Sequence, residues 1–146
     1  EHVQNKAGAE INRYTWSYDT LGRPVHVVDP DQAITEIRYG LFETRRWDAN
    51  GHESYVHRDA DGRVDETGHL AGALTVRTSF TYGPFHQLEH VHDAEGNDTQ
   101  FGYDHAGRRT SMGDLDLGAT TYEYDGHDEI VTETKRLSAA FRNLDA

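Results

Sequence analysis

The chain is predicted to be all-β, an antiparallel meander of tandem β-hairpins forming a twisted or spiralling open sheet. Three observations lead there. An aromatic-x-Tyr motif recurs at near-constant spacing, large and polar residues alternate around it, and Asp/Gly turns punctuate the intervals.

The recurring segments are TWSYDTLGR from Thr15, EIRYGLF from Glu36, SFTYGPF from Ser79, QFGYDHAGR from Gln100 and TYEYDGHDE from Thr121. Their tyrosines are Tyr18, Tyr39, Tyr82, Tyr103 and Tyr124, with gaps of 21, 43, 21 and 21 residues. The long gap spans two units. A degenerate copy fills it: YVHRDADGR from Tyr55, where Arg58 and Asp59 stand at the Tyr-Asp position and Asp59, Gly62 and Arg63 keep the turn. About six units of roughly 21 residues therefore occupy residues 14–134, after a lead-in over 1–13 and before a tail over 135–146.

Side chains of a strand alternate between its faces. Trp16 with Tyr18, Ile37 with Tyr39, Phe80 with Tyr82, Phe101 with Tyr103 and Tyr122 with Tyr124 thus share one face, and the intervening Ser17, Arg38, Thr81, Gly102 and Glu123 take the other. The pattern predicts a sheet buried on one side and wetted on the other, its inner face an aromatic ladder. Asp19-Thr20-Leu21-Gly22, Asp59-Ala60-Asp61-Gly62 and Asp104-His105-Ala106-Gly107 suit a type I turn closed by a left-handed glycine in a G1 bulge. A second set, at Asp29–Gln32, Asp48–Gly51 and Asp93–Gly96, lies midway between tyrosines. Val25, Val27, Leu88 and Val91 give the return strands their apolar side.

Composition narrows the function. Only 35% of residues are hydrophobic and mean hydropathy is −0.85, yet eight Tyr, five Phe and two Trp argue for order over disorder. A net charge of −12 and a pI near 5.1 speak against nucleic acid or an anionic membrane as partner. No segment approaches the ~20 apolar residues of a membrane span. There is no cysteine, hence no disulfide or thiolate site. The chain opens at Glu1 with no signal peptide, as an excised or processed piece would.

The repeated Tyr-Asp followed by Gly-Arg resembles the YD repeats of Rhs proteins, of the TcB and TcC components of insecticidal toxin complexes, and of teneurins. The likeness extends over about Tyr14 to Thr134. Tyr18-Asp19-Gly22-Arg23 and Tyr103-Asp104-Gly107-Arg108 carry the full signature; Tyr124-Asp125 carries its start, and Tyr39-Gly40 and Tyr82-Gly83 replace Asp by Gly. The resemblance implies a long sheet spiralling into a hollow shell that in bacterial members encloses a toxic polypeptide. On that reading the chain is a non-catalytic wall segment of a secreted or cell-surface bacterial protein, partnered by the rest of its shell and by an enclosed toxin polypeptide. No autoproteolytic motif or toxin domain is recognisable. Six units are too few to close such a shell, so open sheet edges favour self-association. The alternative is a β-surface rich in Tyr, Trp, Asp and His that binds carbohydrate or protein.

Catalytic, metal and cofactor sites are not expected. His90 and His92 share a strand face in LEHVHDAEG, with Asp93 beside them and His86 or Glu89 as conceivable third ligands. Without converging ligands the simpler reading is a solvated polar face. Asp29 with Asp31, Asp59 with Asp61 and Asp114 with Asp116 belong to turns, where Asp caps its own backbone. The serines Ser17, Ser54, Ser79, Ser111 and Ser138 lie in no nucleophile-elbow sequence, and no phosphate-binding glycine loop occurs. In the tail, Leu137, Ala140, Phe141 and Leu144 have helical spacing. They form either a short capping helix or the start of a further unit or a disordered end.

Overall fold

The computed structural model describes residues 3–4, 10–115 and 118–138. Among them every regular element is a strand. Strands β1 (Val3–Gln4) and β2 (Glu10–Ile11) make a separate pair. The other twelve lie in one antiparallel sheet whose strand order is the chain order, with β3 and β14 as its two ends.

Two compact units divide the chain, Glu1–Val76 and Arg77–Ala146. The first contains β3 (Thr15–Tyr18), β4 (Pro24–Val28), β5 (Ile34–Tyr39), β6 (Glu43–Trp47), β7 (Glu53–Arg58) and β8 (Val64–Ala71). The second contains most of β9 (Leu74–Tyr82), then β10 (Leu88–His92), β11 (Asp98–Tyr103), β12 (Arg109–Asp114), β13 (Gly118–Tyr124) and β14 (Ile130–Arg136). The predicted meander is what forms. Arg136 ends β14, whereas Ala140, Phe141 and Leu144 of the expected tail helix lie outside the described residues, as does Asp116.

One turn chemistry explains the hairpins. At Asp19 the backbone N–H donates to the Arg23 carbonyl at 2.9 Å and the Gly22 N–H returns to the Asp19 carbonyl at 3.0 Å. The Asp19 carboxylate Oδ1 then accepts the N–H groups of Leu21 and Arg23, both at 2.9 Å. The same four bonds recur at Asp29, Asp48, Asp59, Asp93, Asp104 and Asp125. A turn has more N–H groups than carbonyls placed to receive them, and a short carboxylate at its first position supplies the missing acceptor. Gly83 begins a further turn with the backbone bonds alone, to Gln87 and from His86 at 2.8 and 3.0 Å. The fourth residue adopts positive φ throughout, from 63° at His86 to 89° at Gly96. After the turns that begin at Asp19, Asp59, Gly83, Asp104 and Asp125, the strand register shifts by one residue, as a bulge requires.

One expectation fails. None of the described hydrophobic side chains is buried, so neither face of either unit has the covered interior that the alternation suggested. Burying a sheet face requires a second layer, and within each unit the chain supplies only one. Cross-strand neighbours cover side chains partway: Ile37 and Tyr39 are half-buried while Trp16 and Tyr18 of end strand β3 remain 52% and 59% exposed.

Gly22 has φ of 75° and open space where a Cβ would stand, so its substitution is resisted by backbone conformation alone. Gly22→Val is expected to destabilise by about 1–3 kcal/mol, and Gly22→Asn by much less. A urea melt of Gly22→Val that matches the parent chain would refute this turn geometry.

Candidate functional site

The signature residues meet in a chain of contacts that runs from one repeat to the next. The Asp19 carboxylate, already fixed by its turn, takes the Arg23 guanidinium at two nitrogens, 2.8 Å to Nε and 2.7 Å to Nη2. Clamped in this plane, Arg23 lies over the Tyr39 ring with 4.3 Å from Cζ to the ring centre. The Tyr39 hydroxyl in turn donates to the Pro24 carbonyl at 2.9 Å. Asp104, Arg108 and Tyr124 repeat the arrangement: Nε to carboxylate at 2.7 Å, guanidinium over ring at 4.7 Å, hydroxyl to the Arg109 carbonyl at 2.7 Å. Arg108 also reaches the next turn, donating to Asp128 at 2.6 Å. Tyr103 makes the hydroxyl contact alone, to the Leu88 carbonyl at 2.9 Å. A planar guanidinium suits this place because it forks onto a carboxylate and stacks on a ring at once.

The cross-strand register sorts the remaining side chains. In the first unit Trp16, Val27 and Thr35 share a face, as do Ile37, Arg46 and Ser54. In the second, Phe80 faces Val91 and Thr99 across two strand boundaries, and Phe101 faces Met112 and Thr120. In the degenerate copy Arg58 pairs with Val64 across the bulge at the place Tyr18 holds opposite Pro24, and the Arg63 guanidinium is clamped by Asp59 at 2.7 Å. Tyr55 stands on the other face, its ring over Gly68, where any Cβ would fall 2.6 Å from the ring, and its hydroxyl on Glu66 at 2.6 Å. Trp47 is on that opposite face too, under the Arg38 guanidinium at 4.8 Å. The two tryptophans therefore belong to different surfaces.

The turn carboxylates are engaged by the scaffold. Backbone and guanidinium donation from Arg23 holds the Asp19 carboxyl below the usual carboxylate range, and the same donors from Arg108 do so for Asp104. The His52 side chain and N–H lower Asp48, and the Asn97 side chain and N–H lower Asp93. At Asp59 desolvation pushes upward, but Arg63 prevails and the net shift is down. Asp31 and Asp61 are turn neighbours whose N–H groups feed Asp29 and Asp59. Ser17 Oγ lies 3.2 Å from His26 Nδ1, and Glu36 opposite His26 is engaged by Arg38 Nε at 2.6 Å.

The histidines of β10 keep much of their surface in solvent and also converge on a carboxylate. His90 and His92 stack with ring centres 5.7 Å apart and planes 6° from parallel. Asp98, on β11 opposite His92, brings a carboxylate oxygen to 3.2 Å from His90 Nδ1 and 3.4 Å from His92 Nδ1. Neither His86 nor Glu89 joins them, and Asp93 caps its own turn. The signal was present in the sequence. His92 and Asp98 flank the five-residue turn Asp93–Asn97, and the turn sets them opposite each other. The Gln100 amide donates to Asp98 at 2.8 Å, the foremost reason its carboxyl is lowered, ahead of the histidines.

No family model matches the chain, and no curated protein matches its sequence. Solved structures do match. The crystal structure of TcdB2-TccC3 is similar over 90% of this chain, with a TM-score of 0.76 and 16% identity. TcdB2-TccC3-Cdc42 gives the same three values, and TcdB2-TccC3 without its hypervariable C-terminal region gives 85%, 0.73 and 15%. The chain spans 7–8% of the length of those chains. At this identity the likeness is one of fold.

Two outcomes test the site. Tyr124→Phe removes one hydroxyl–carbonyl bond and is expected to lower stability by about 0.5–1.5 kcal/mol in a urea melt; no change would show the bond to be idle. The second concerns pH. The five lowered turn carboxyls contribute stability that is complete above their unfolded pKa of about 3.9 and lost as pH falls through their lower folded values. His57, raised chiefly by its hydrogen bond to Asp65, has the opposite sign: its contribution is complete below about pH 6.5 and lost as pH rises through the raised folded value. Stability is expected to fall below about pH 4 and to ease downward above neutrality, the latter slope vanishing in His57→Gln. A profile flat from pH 2 to 5 would contradict the carboxylate assignment.

Proposed function

We propose that this chain is a non-catalytic stretch of wall in a YD-repeat, Rhs-type shell of a secreted bacterial protein, which encloses or presents a polypeptide such as a toxin. The carrying observation is a single layer of strands, tied laterally from turn to turn, whose large apolar side chains stay uncovered. A wall needs lateral strength and leaves one face for what it surrounds. The fold likeness to the TcdB2-TccC3 structures supports the same reading. On it, residues 14–134 are the repeats, 1–13 the lead-in, and 135–146 a tail that either caps the last strand or starts a further unit. The partners are the rest of the shell and its contents, with the free edges of β3 and β14 joining neighbouring strands of that shell or another copy.

A second reading, a carbohydrate- or protein-binding surface, is favoured by one feature. Tyr14, just before end strand β3, stacks at 6.0 Å on Trp16 within it, and each residue is about half exposed.

A photo-crosslinking residue at Thr35, on the Trp16 face, and another at Ser17, on the opposite face, distinguish the readings in the intact parent protein. The wall reading expects Thr35 alone to label an internal polypeptide. Labelling of external proteins from both positions would reject it. Glycan binding lost in Trp16→Ala with an unchanged melt would instead establish the second reading.

A further inference from the structure

We infer that His90, His92 and Asp98 form a surface site for a late first-row divalent cation of the Zn2+ class, clasping β10 to β11 independently of the wall reading. One ligand atom from each residue lies within 4.8 Å of the others. The two imidazole-to-carboxylate separations, 3.2 and 3.4 Å, lie close to the roughly 3.3–3.5 Å that tetrahedral bonds of about 2.0–2.1 Å impose, and the imidazole-to-imidazole edge, within 4.8 Å, closes to the same value when an ion binds.

The donor set selects the ion. Two imidazoles and one carboxylate suit Zn2+, Cu2+, Ni2+ or Co2+, whereas Mg2+ and Ca2+ require oxygen-rich cages. Preorganisation comes from the hairpin. His90 and His92 leave one strand on the same face, the capped turn at Asp93 fixes Asp98 opposite His92, and both Nδ1 atoms approach the same Asp98 oxygen; a tilt of the near-parallel rings toward each other puts both in-plane lone pairs on one ion. Gln100, opposite His90, donates to the second Asp98 oxygen and orients the ligand, as outer partners of metal sites do. Gly113 across from Gln100 has no side chain and open space above it, so the fourth position stays accessible to water or to a donor from a facing molecule.

The test titrates the chain with Zn2+ by calorimetry and with Co2+ by visible absorbance at neutral pH. One ion per chain is expected. His92→Ala and Asp98→Asn should each weaken binding by more than about 100-fold and Gln100→Leu by about 10-fold, with His105→Ala and His127→Ala in turns unchanged. In the unmutated chain, Zn2+ should protect His90 and His92 but not His105 from carbethoxylation, a readout that does not depend on any variant folding. Absence of saturable binding, binding that survives both ligand variants, or equal histidine reactivity with and without Zn2+ would overturn the site.

Discussion

The structure depends on a guanidinium held flat. Each of the two units is a single layer of strands and none of the described hydrophobic residues is buried, so stability has to pass sideways from strand to strand. The backbone ladder does part of this but is indifferent to which repeat follows. Asp19 holding Arg23 over Tyr39, and Asp104 holding Arg108 over Tyr124, add a side-chain contact that specifies the neighbour. The turn is therefore more than a reversal: the carboxylate that caps its backbone also aims the cation that reaches the next repeat.

Much of this was legible because the sequence repeats itself. The 21-residue recurrence of Tyr18, Tyr39, Tyr82, Tyr103 and Tyr124 and the Asp-to-Gly spacing determine strand, turn and face by short-range rules alone. The partner of Arg23 was not legible, because Tyr39 lies on the next strand, β5, sixteen residues on, and the pairing depends on the bulge beside Pro24. Asp98 escaped for a related reason. A motif read along one strand sees His90, His92 and Asp93, whereas the geometry that matters runs across the hairpin. Alternation also implied a covered face, but it records only what a side chain is suited to touch, and the covering layer is absent from the described residues.

The degenerate copies show how much variation the device tolerates. Arg58 takes a tyrosine's place beside the intact Asp59 clamp, and Gly83 dispenses with the carboxylate while the Glu89 side chain occupies the space a Cβ would need. Backbone bonds still close the Gly83 turn. A repeat array of this kind can lose individual side-chain contacts because its neighbours keep the register.

If the clamped guanidinium joins successive repeats, Arg23 and Tyr39 must be energetically coupled. A double-mutant cycle with Arg23→Ala and Tyr39→Leu, read from urea melts, measures that coupling directly. The account expects a coupling of about 0.5–1 kcal/mol, the range of a partly exposed cation–ring contact. Effects that add to within about 0.3 kcal/mol would mean that the two residues act separately and that the sheet is held by its backbone alone.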